Sequence, residues 1–192
     1  MLKVVEQADT TQLKQYLLEL YLLELYQSAY RAFHSTETAI LKVNTDILHA
    51  IDCKLCVLLS LLDLSASFDT IDYAVLFKRL AEYFGISGKV LDWIKSYLSG
   101  CRQSVVIEES RSDTEHLEYG VPQGSVPGPL LFTLYMAPLC DLLRKHGVRY
   151  HCYADDTQIY LSFKPEDVQS ACSRIENCIA DFREWMNKTS CA

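Results

Sequence analysis

Apolar residues recur along this chain at two spacings, and each change of spacing marks a new element. Between residues 9 and 27 they fall at helical intervals, and within that stretch LLELY occurs twice in tandem, at 17–21 and 22–26. A five-residue step does not hold one helix face in register, so the duplication implies no function. Ser35-Thr36-Glu37-Thr38 opens a second helix reaching about residue 51, with Glu37 suited to the positive end of the helix dipole. The run Leu55 to Leu62 is apolar except for Ser60 and stops at Asp63. That pattern predicts a strand buried on both faces.

Two amphipathic helices follow. One carries Leu76, Phe77, Leu80 and Phe84 and stops at Gly85, and the next carries Val90, Leu91, Ile94, Tyr97 and Leu98 and stops at Gly100. Residues 103–108 and 115–119 alternate as strands around a polar turn. Gly120 to Gly128 is a Gly/Pro loop, and Pro129 suits the first turn of a helix running toward Gly147, with a kink expected at Pro138. Residues 148–153 and 158–163 predict a hairpin joined by Ala154-Asp155-Asp156-Thr157. A last helix sets Val168, Ala171, Cys172, Ile175, Ile179, Phe182 and Met186 on one face. No linker interrupts this series, which reads as one α+β unit.

Composition narrows the classes. A chain of 192 residues, 49% apolar and 22% charged, suits one globular core. No apolar run reaches the roughly 18 residues that a membrane span requires, and the N-terminus lacks a secretory pattern. A nuclear or cytoplasmic location is therefore expected, and the eight cysteines read as reduced thiols. Cys53 and Cys56 have C-x-x-C spacing without a second pair to complete a zinc site. The five histidines, His34 and His151 among them, show no metal spacing. The net charge of −7 is unfavourable for holding a phosphate backbone. Acids gathered around a metal explain part of it, and a missing basic segment would explain the rest.

Two places put carboxylates where structure alone does not call for them. Asp63 ends an otherwise apolar strand, and Asp155 and Asp156 sit side by side at a hairpin tip. Acids brought together repel unless a cation neutralises them, and Mg²⁺, a hard ion that prefers oxygen, is the natural one. Two such ions clamp the attacking and leaving oxygens of a phosphoryl transfer. The plainer readings stand beside this one. Asp-Asp is common turn chemistry, and an Asp after a strand often caps the next helix. Asp69 and Asp72 fit that second role.

The combination of motifs is more specific than any part. LLDLSASFDTID at 61–72, YGVPQGSVPGPLLF at 119–132 and YADDTQIYLSF at 153–163 resemble, in order, three blocks of the reverse transcriptases of non-LTR (LINE-type) retrotransposons. QSAYRAFHSTETAILKV at 27–43 resembles their fingers block, and the likeness extends from about residue 12 to 186. It implies an α+β fold, with reverse-transcriptase fingers (about 12–54) and mainly palm (about 55–186), the antiparallel palm sheet backed by helices and the thumb absent. It implies RNA-directed DNA polymerase chemistry on an RNA template and DNA primer, with dNTP as substrate. Asp63 and Asp155 would be the principal metal ligands, Asp156 the adjoining acid and the Leu64 carbonyl a further ligand, holding two Mg²⁺ ions, with Mn²⁺ as a substitute. Phe68 would lie against the sugar 2′ position and exclude a hydroxyl there. Gln123 and Gly124 would lie beside the incoming nucleotide, and Arg31 would pair with its triphosphate.

If the resemblance holds, Asp63 and Asp155, 92 residues apart (155 − 63), must converge, with carboxylates about 4–7 Å from each other. Phe68 should then line the same cleft near Gln123. Several positions depart from the family pattern. Ala32-Phe33 replaces a Pro-Gly turn, Pro127 replaces Leu and Ser67 replaces Ala. The chain closes on NKTSCA where the family continues into further palm motifs and the thumb. The expectation is a truncated copy without processive synthesis, since primer positioning supplies most of the catalysis. The rival readings are an inactive remnant that binds a partner or does nothing, and a viral RNA-dependent RNA polymerase. Phe68 and the Tyr-Ala before the acid pair disfavour the viral reading.

Overall fold

The computed structural model describes residues 2–64, 68–108, 110–122 and 124–189, so Ser67 and Gln123 lie outside the described residues. In chain order the first elements are α1 (Leu2–Glu19), α2 (Thr36–Asp52), β1 (Cys56–Leu62), α3 (Tyr73–Glu82) and α4 (Gly88–Leu98). Four two-residue strands follow: β2 (Arg102–Gln103), β3 (Val106–Ile107), β4 (Ser110–Arg111) and β5 (Glu115–His116). The chain then forms α5 (Gly128–Lys145), β6 (Arg149–Tyr153), β7 (Asp156–Phe163) and α6 (Val168–Thr189).

These elements divide into two compact units. The first comprises Met1–Leu22, Ala66–Tyr135 and Thr189–Ala192, and the second Leu23–Ser65 and Met136–Lys188. The sequence showed no boundary because the crossings fall in a loop, after a strand and within helices rather than in linkers of distinctive composition.

In the first unit, α1 begins at Leu2 and stops at Glu19, which corrects the helix expected over 9–27. Leu13 and Leu17 are buried, but the five-residue repeat rotates the next apolar residues off that face, and Tyr21 is 93% exposed. Tyr21 takes φ 55°, and the bonds Leu22 N–H to Leu17 O (2.9 Å) and Tyr21 N–H to Leu18 O (3.2 Å) close a Schellman motif. Asp72 caps α3 by accepting from Val75 N–H at 3.0 Å. Helices α3 and α4 pack together, with Leu76, Leu80, Phe84, Ile94 and Leu98 fully buried. Each such side chain stabilises the fold by roughly 1.5–3 kcal/mol. The expected 103–108/115–119 hairpin is present only as two short ladders, β2 with β5 and β3 with β4. Their residues are all exposed, so no buried face extends the pairing.

The second unit is built on an antiparallel sheet in the order β1-β7-β6, with α2 packed against β1 and β6. Ser35 and Thr38 form a reciprocal capping box at the start of α2, as their spacing predicts. β1 does not bear out burial on both faces. Leu59 and Leu61 are 42% and 70% exposed, and an apolar run does not reveal how many of its faces are covered. The central strand β7 is the well-covered one, with Thr157, Ile159 and Tyr160 buried. On α6 the buried apolar side chains are Ala171, Ile175, Cys178 and Phe182, so Cys178 takes the place expected of Ile179. Helix α5 is continuous through Pro138.

The turn after Arg31 carries an avoidable strain. His34 N–H bonds Arg31 O at 3.4 Å, and Phe33 has φ 63° with a fully exposed ring. That is the third position of a type II turn, which favours Gly, while Ala32 stands where Pro is favoured. A left-handed φ costs a residue with a β-carbon about 1 kcal/mol or more. Phe33→Gly is therefore expected to raise the urea midpoint at unchanged m-value, by a stability gain of about 0.5–1.5 kcal/mol. A loss of stability would show that the ring contributes contacts.

Candidate active site

The three acids singled out by sequence lie at one end of the sheet in the second unit. The β1–β7 ladder closes with Leu62 opposite Thr157. Carried one rung further, that register sets Asp63 opposite Asp156. Residues directly opposed in an antiparallel pair have α-carbons roughly 4.5–5.5 Å apart. On the other side of β7, Tyr153 pairs with Asp156, so the β6–β7 loop is only Ala154-Asp155. The strand starts at Asp156, two residues before the expected 158, and the turn is correspondingly tighter. Asp63 and Asp156 are exposed, Asp155 is half-buried and Leu64 is buried beside them in the chain.

Among the described residues no three His, Cys, Asp or Glu side chains are gathered closely enough to hold an ion unaided. The donors at this sheet end are nevertheless all oxygen. Mg²⁺ takes one or two protein carboxylates and keeps its remaining positions for water and phosphate. An open arrangement of acids at strand ends fits an ion whose coordination a substrate completes.

The turn is held by residues the sequence reading did not single out. Ala154 has φ 56°, and it is the only one of the two turn residues with a positive φ, as in a type II′ turn, where Gly is usual. Gln27 grips it from both sides. Its Oε1 accepts from Ala154 N–H at 2.9 Å, and its Nε2 donates to Ala154 O at 3.1 Å. The same Oε1 accepts from Ala29 N–H at 3.0 Å. The flanking backbone pairs with β6, Ser28 N–H to Cys152 O at 3.0 Å and Cys152 N–H to Tyr26 O at 2.7 Å. Ser28 Oγ and His151 Nε2 meet at 2.8 Å in the interior, where burial holds the imidazole below its ordinary pKa. Burial and, after it, the Asp155 carboxylate raise the Tyr30 phenol above its ordinary pKa. Arg31 Nη1 donates to the carbonyls of Glu24 (2.7 Å), Gln27 (3.2 Å) and Leu25 (3.4 Å), so it fastens its own loop. Gln27 opens the quoted block QSAYR, but no local pattern could show that its carboxamide reaches a turn 127 residues away.

The remaining candidates belong to the first unit. Phe68 is half-buried, its ring stacked on the fully buried Phe132 at 4.3 Å between centroids. One face of the ring therefore packs on α5. The loop before α5 is pinned at several points. Gly120 N–H bonds Ile71 O at 2.9 Å, and Val121 N–H bonds Phe68 O at 3.0 Å. The buried Glu6 carboxylate accepts from Val126 N–H at 3.1 Å, a second contact the sequence did not reveal. Pro127 O accepts from Leu131 N–H, so the proline stands just before the helix, where its missing N–H is not needed. Gly124 has φ 74° and is exposed. An open groove of about 1020 Å³ beside this loop is lined by Asp69, Gln103, Glu115, Glu118, Tyr119 and Pro122 among others.

The family model of reverse transcriptase (RNA-dependent DNA polymerase) matches residues 1–191. The chain belongs to the reverse transcriptase family. It is 30% identical over 170 residues to a probable RNA-directed DNA polymerase from transposon X-element of Drosophila melanogaster. It is 27% identical over 168 residues to the RNA-directed DNA polymerase from mobile element jockey of Drosophila funebris. Each alignment covers 85% of this chain and 18% of the relative, so the chain spans about a fifth of their length. A chain of a partial Cas6-RT-Cas1--Cas2 complex aligns over 86% of this chain and 27% of its own, at 21% identity and a TM-score of 0.33. The resemblance of the sequence blocks to non-LTR reverse transcriptases is thus borne out, and the mixed helices and antiparallel sheet are those of a reverse-transcriptase-like fold. No helix of the described residues is long and apolar enough to cross a membrane.

Gly120 tests how tightly this member of the reverse transcriptase family holds the loop before α5. It has φ 82°, and a β-carbon there would lie 3.0 Å from both Asp69 Cα and Phe68 O. Gly120→Ala meets conformational strain and a backbone clash together. It should destabilise the chain by about 2–4 kcal/mol in urea unfolding. A change under about 0.5 kcal/mol would mean that the loop relaxes freely.

Proposed function

We propose that this chain carries the nucleotidyl-transfer centre of an RNA-directed DNA polymerase of non-LTR retrotransposon type. The observation that carries the proposal is the arrival of Asp63, Asp155 and Asp156 at one end of a single antiparallel sheet, in a chain matched by the reverse transcriptase family over residues 1–191. In this reading Asp63 and Asp155 are the principal ligands of two Mg²⁺ ions, with the Leu64 carbonyl and Asp156 beside them. When bound, such ions would neutralise the charge that develops as a primer 3′-hydroxyl displaces pyrophosphate from the dNTP α-phosphate. The protein's part is to fix the acids on a rigid ladder and to hold the substrates in line.

Phe68 is read as the group that excludes a 2′-hydroxyl. Its stack on Phe132 supports that role as well as a packing one, because a ring fixed on one face is a firm wall for a sugar. Gln123 and Gly124 are assigned to the incoming nucleotide on family resemblance. Arg31, if it meets the triphosphate, does so from a guanidinium whose Nη1 already serves three carbonyls. Template RNA and primer DNA are the proposed partners. The net charge of −7 implies weak, salt-sensitive binding of the duplex by this chain alone.

The direct test is single-dNTP addition to a DNA primer annealed to RNA, using the purified chain. Mg²⁺-dependent, distributive addition without processive synthesis is expected, falling by about a thousandfold or more in Asp155→Ala and Asp63→Ala. Extension that survives both substitutions would overturn the site assignment. No incorporation by the unaltered chain would favour the inactive-remnant reading instead. In a chain that extends primers, Phe68→Val should raise ribonucleotide incorporation relative to dNTP by about tenfold or more. Unchanged discrimination would leave Phe68 a packing residue only.

A further inference from the structure

We infer that Gln27 is a positioning residue of the catalytic turn: it fixes the backbone of Ala154 and thereby the direction in which Asp155 presents its carboxylate. This rests on the proposed reading of Asp155 as a metal ligand. Gln27 is only 7% exposed, and a buried carboxamide requires partners. Its partners in the turn are the N–H and the C=O of one residue, Ala154, which immediately precedes the acid. Gripping both groups of a residue fixes its orientation, which a single hydrogen bond does not.

The chemistry calls for glutamine. One planar side chain must offer an acceptor to Ala154 N–H and a donor to Ala154 O. A carboxylate has no donor, and asparagine has the groups one methylene too short. Gln27 is itself held at its backbone. It bridges to Cys152 of β6, its carbonyl receives Arg31 Nη1 at 3.2 Å, and its Oε1 takes a further bond from Ala29 N–H. The turn it grips needs holding. A two-residue loop with Ala in a left-handed conformation is not what Ala adopts by preference. Without the grip, the turn relaxes and Asp155 no longer presents its carboxylate in one direction.

The experiment measures Mn²⁺ affinity of the full chain by electron paramagnetic resonance. In parallel, thermal unfolding is followed for Gln27→Met, Gln27→Asn, Ser28→Ala and Asp155→Ala. Gln27→Met, of nearly equal volume but without the amide, should weaken Mn²⁺ binding about tenfold or more, in the range seen when the outer partners of metal ligands are lost. Gln27→Asn should do the same. Ser28→Ala removes the neighbouring buried contact with His151 and should lower the melting temperature while leaving Mn²⁺ affinity unchanged. Wild-type affinity in a folded Gln27→Met would overturn the inference. Wild-type affinity in Asp155→Ala, or no Mn²⁺ binding by the unaltered chain, would instead overturn the metal-site reading on which it rests. Amide exchange in the unaltered chain decides the grip separately, even if the Gln27 variants do not fold. Ala154 N–H should exchange as slowly as Cys152 N–H, and exchange at the rate of an exposed turn would overturn the inference.

Discussion

The register of β7 between β1 and β6 is the constraint on which the site depends. Side chains in a strand alternate faces, so a slip of one residue on either side of β7 would turn its buried set outward. Thr157 and Ile159 are buried by the observed pairing, which makes such a slip expensive. The two-residue turn fixes the β6 side of the ladder, because Tyr153 opposite Asp156 leaves no length for an alternative. The position of Asp63 then follows from Leu62 facing Thr157. The acids are therefore brought to one sheet end by apolar burial in the strands, not by any attraction of their own. Like charges alone would separate them.

The elements most legible in the sequence were those whose signals are local. Ser35 with Thr38 and Asp72 with Val75 are caps written within four residues, and both are present. The stripes of α3 and α4 show in the burial of Leu76, Leu80, Ile94 and Leu98. Signals failed where the deciding contact was distant. The end of α1 depended on which residues a neighbouring surface covers, and the exposed side of β1 depended on what packs against the sheet. The division into two units was invisible for the same reason. α5 carries one continuous helical pattern, yet its residues to Tyr135 belong to the first unit and those from Met136 to the second.

The same distinction separates the parts of the candidate site. A carboxylate that ends an apolar strand contradicts its surroundings, so Asp63 draws attention without any structure. Gln27 and Glu6 do not, because a lone Gln or Glu in a sequence looks like solvated surface. Only the fold reveals that Gln27 meets Ala154 and that Glu6 meets Val126. Both are buried polar side chains that bond to backbone groups of loops in the motif blocks. Backbone N–H and C=O groups require partners, and these two side chains supply some of those the loops do not make for themselves. The motif supplies the candidate acids, and residues far away in sequence supply partners to the backbone of its loops.

Strain in the second unit follows from the same arrangement. Tyr30, Phe33 and Ala154 all have left-handed φ despite carrying β-carbons, and each lies in or beside the segment that braces the β6–β7 turn. The family's Pro-Gly pair would form the 32–33 turn without penalty, whereas this chain makes it from Ala and Phe. Local preference therefore does not hold that turn in place. Arg31, which begins it, is tied by its guanidinium to the carbonyls of Glu24, Leu25 and Gln27, while Ser35, just beyond it, is committed to the cap of α2. With both ends fixed, the three residues between have little choice of path. Three unfavourable dihedrals, each worth about 1–3 kcal/mol, are carried by this segment and the turn it braces, both tied down through the side-chain bonds of Arg31 and Gln27. The segment is held because its ends are anchored, and such a brace keeps the two-residue turn beside Asp155 in one conformation.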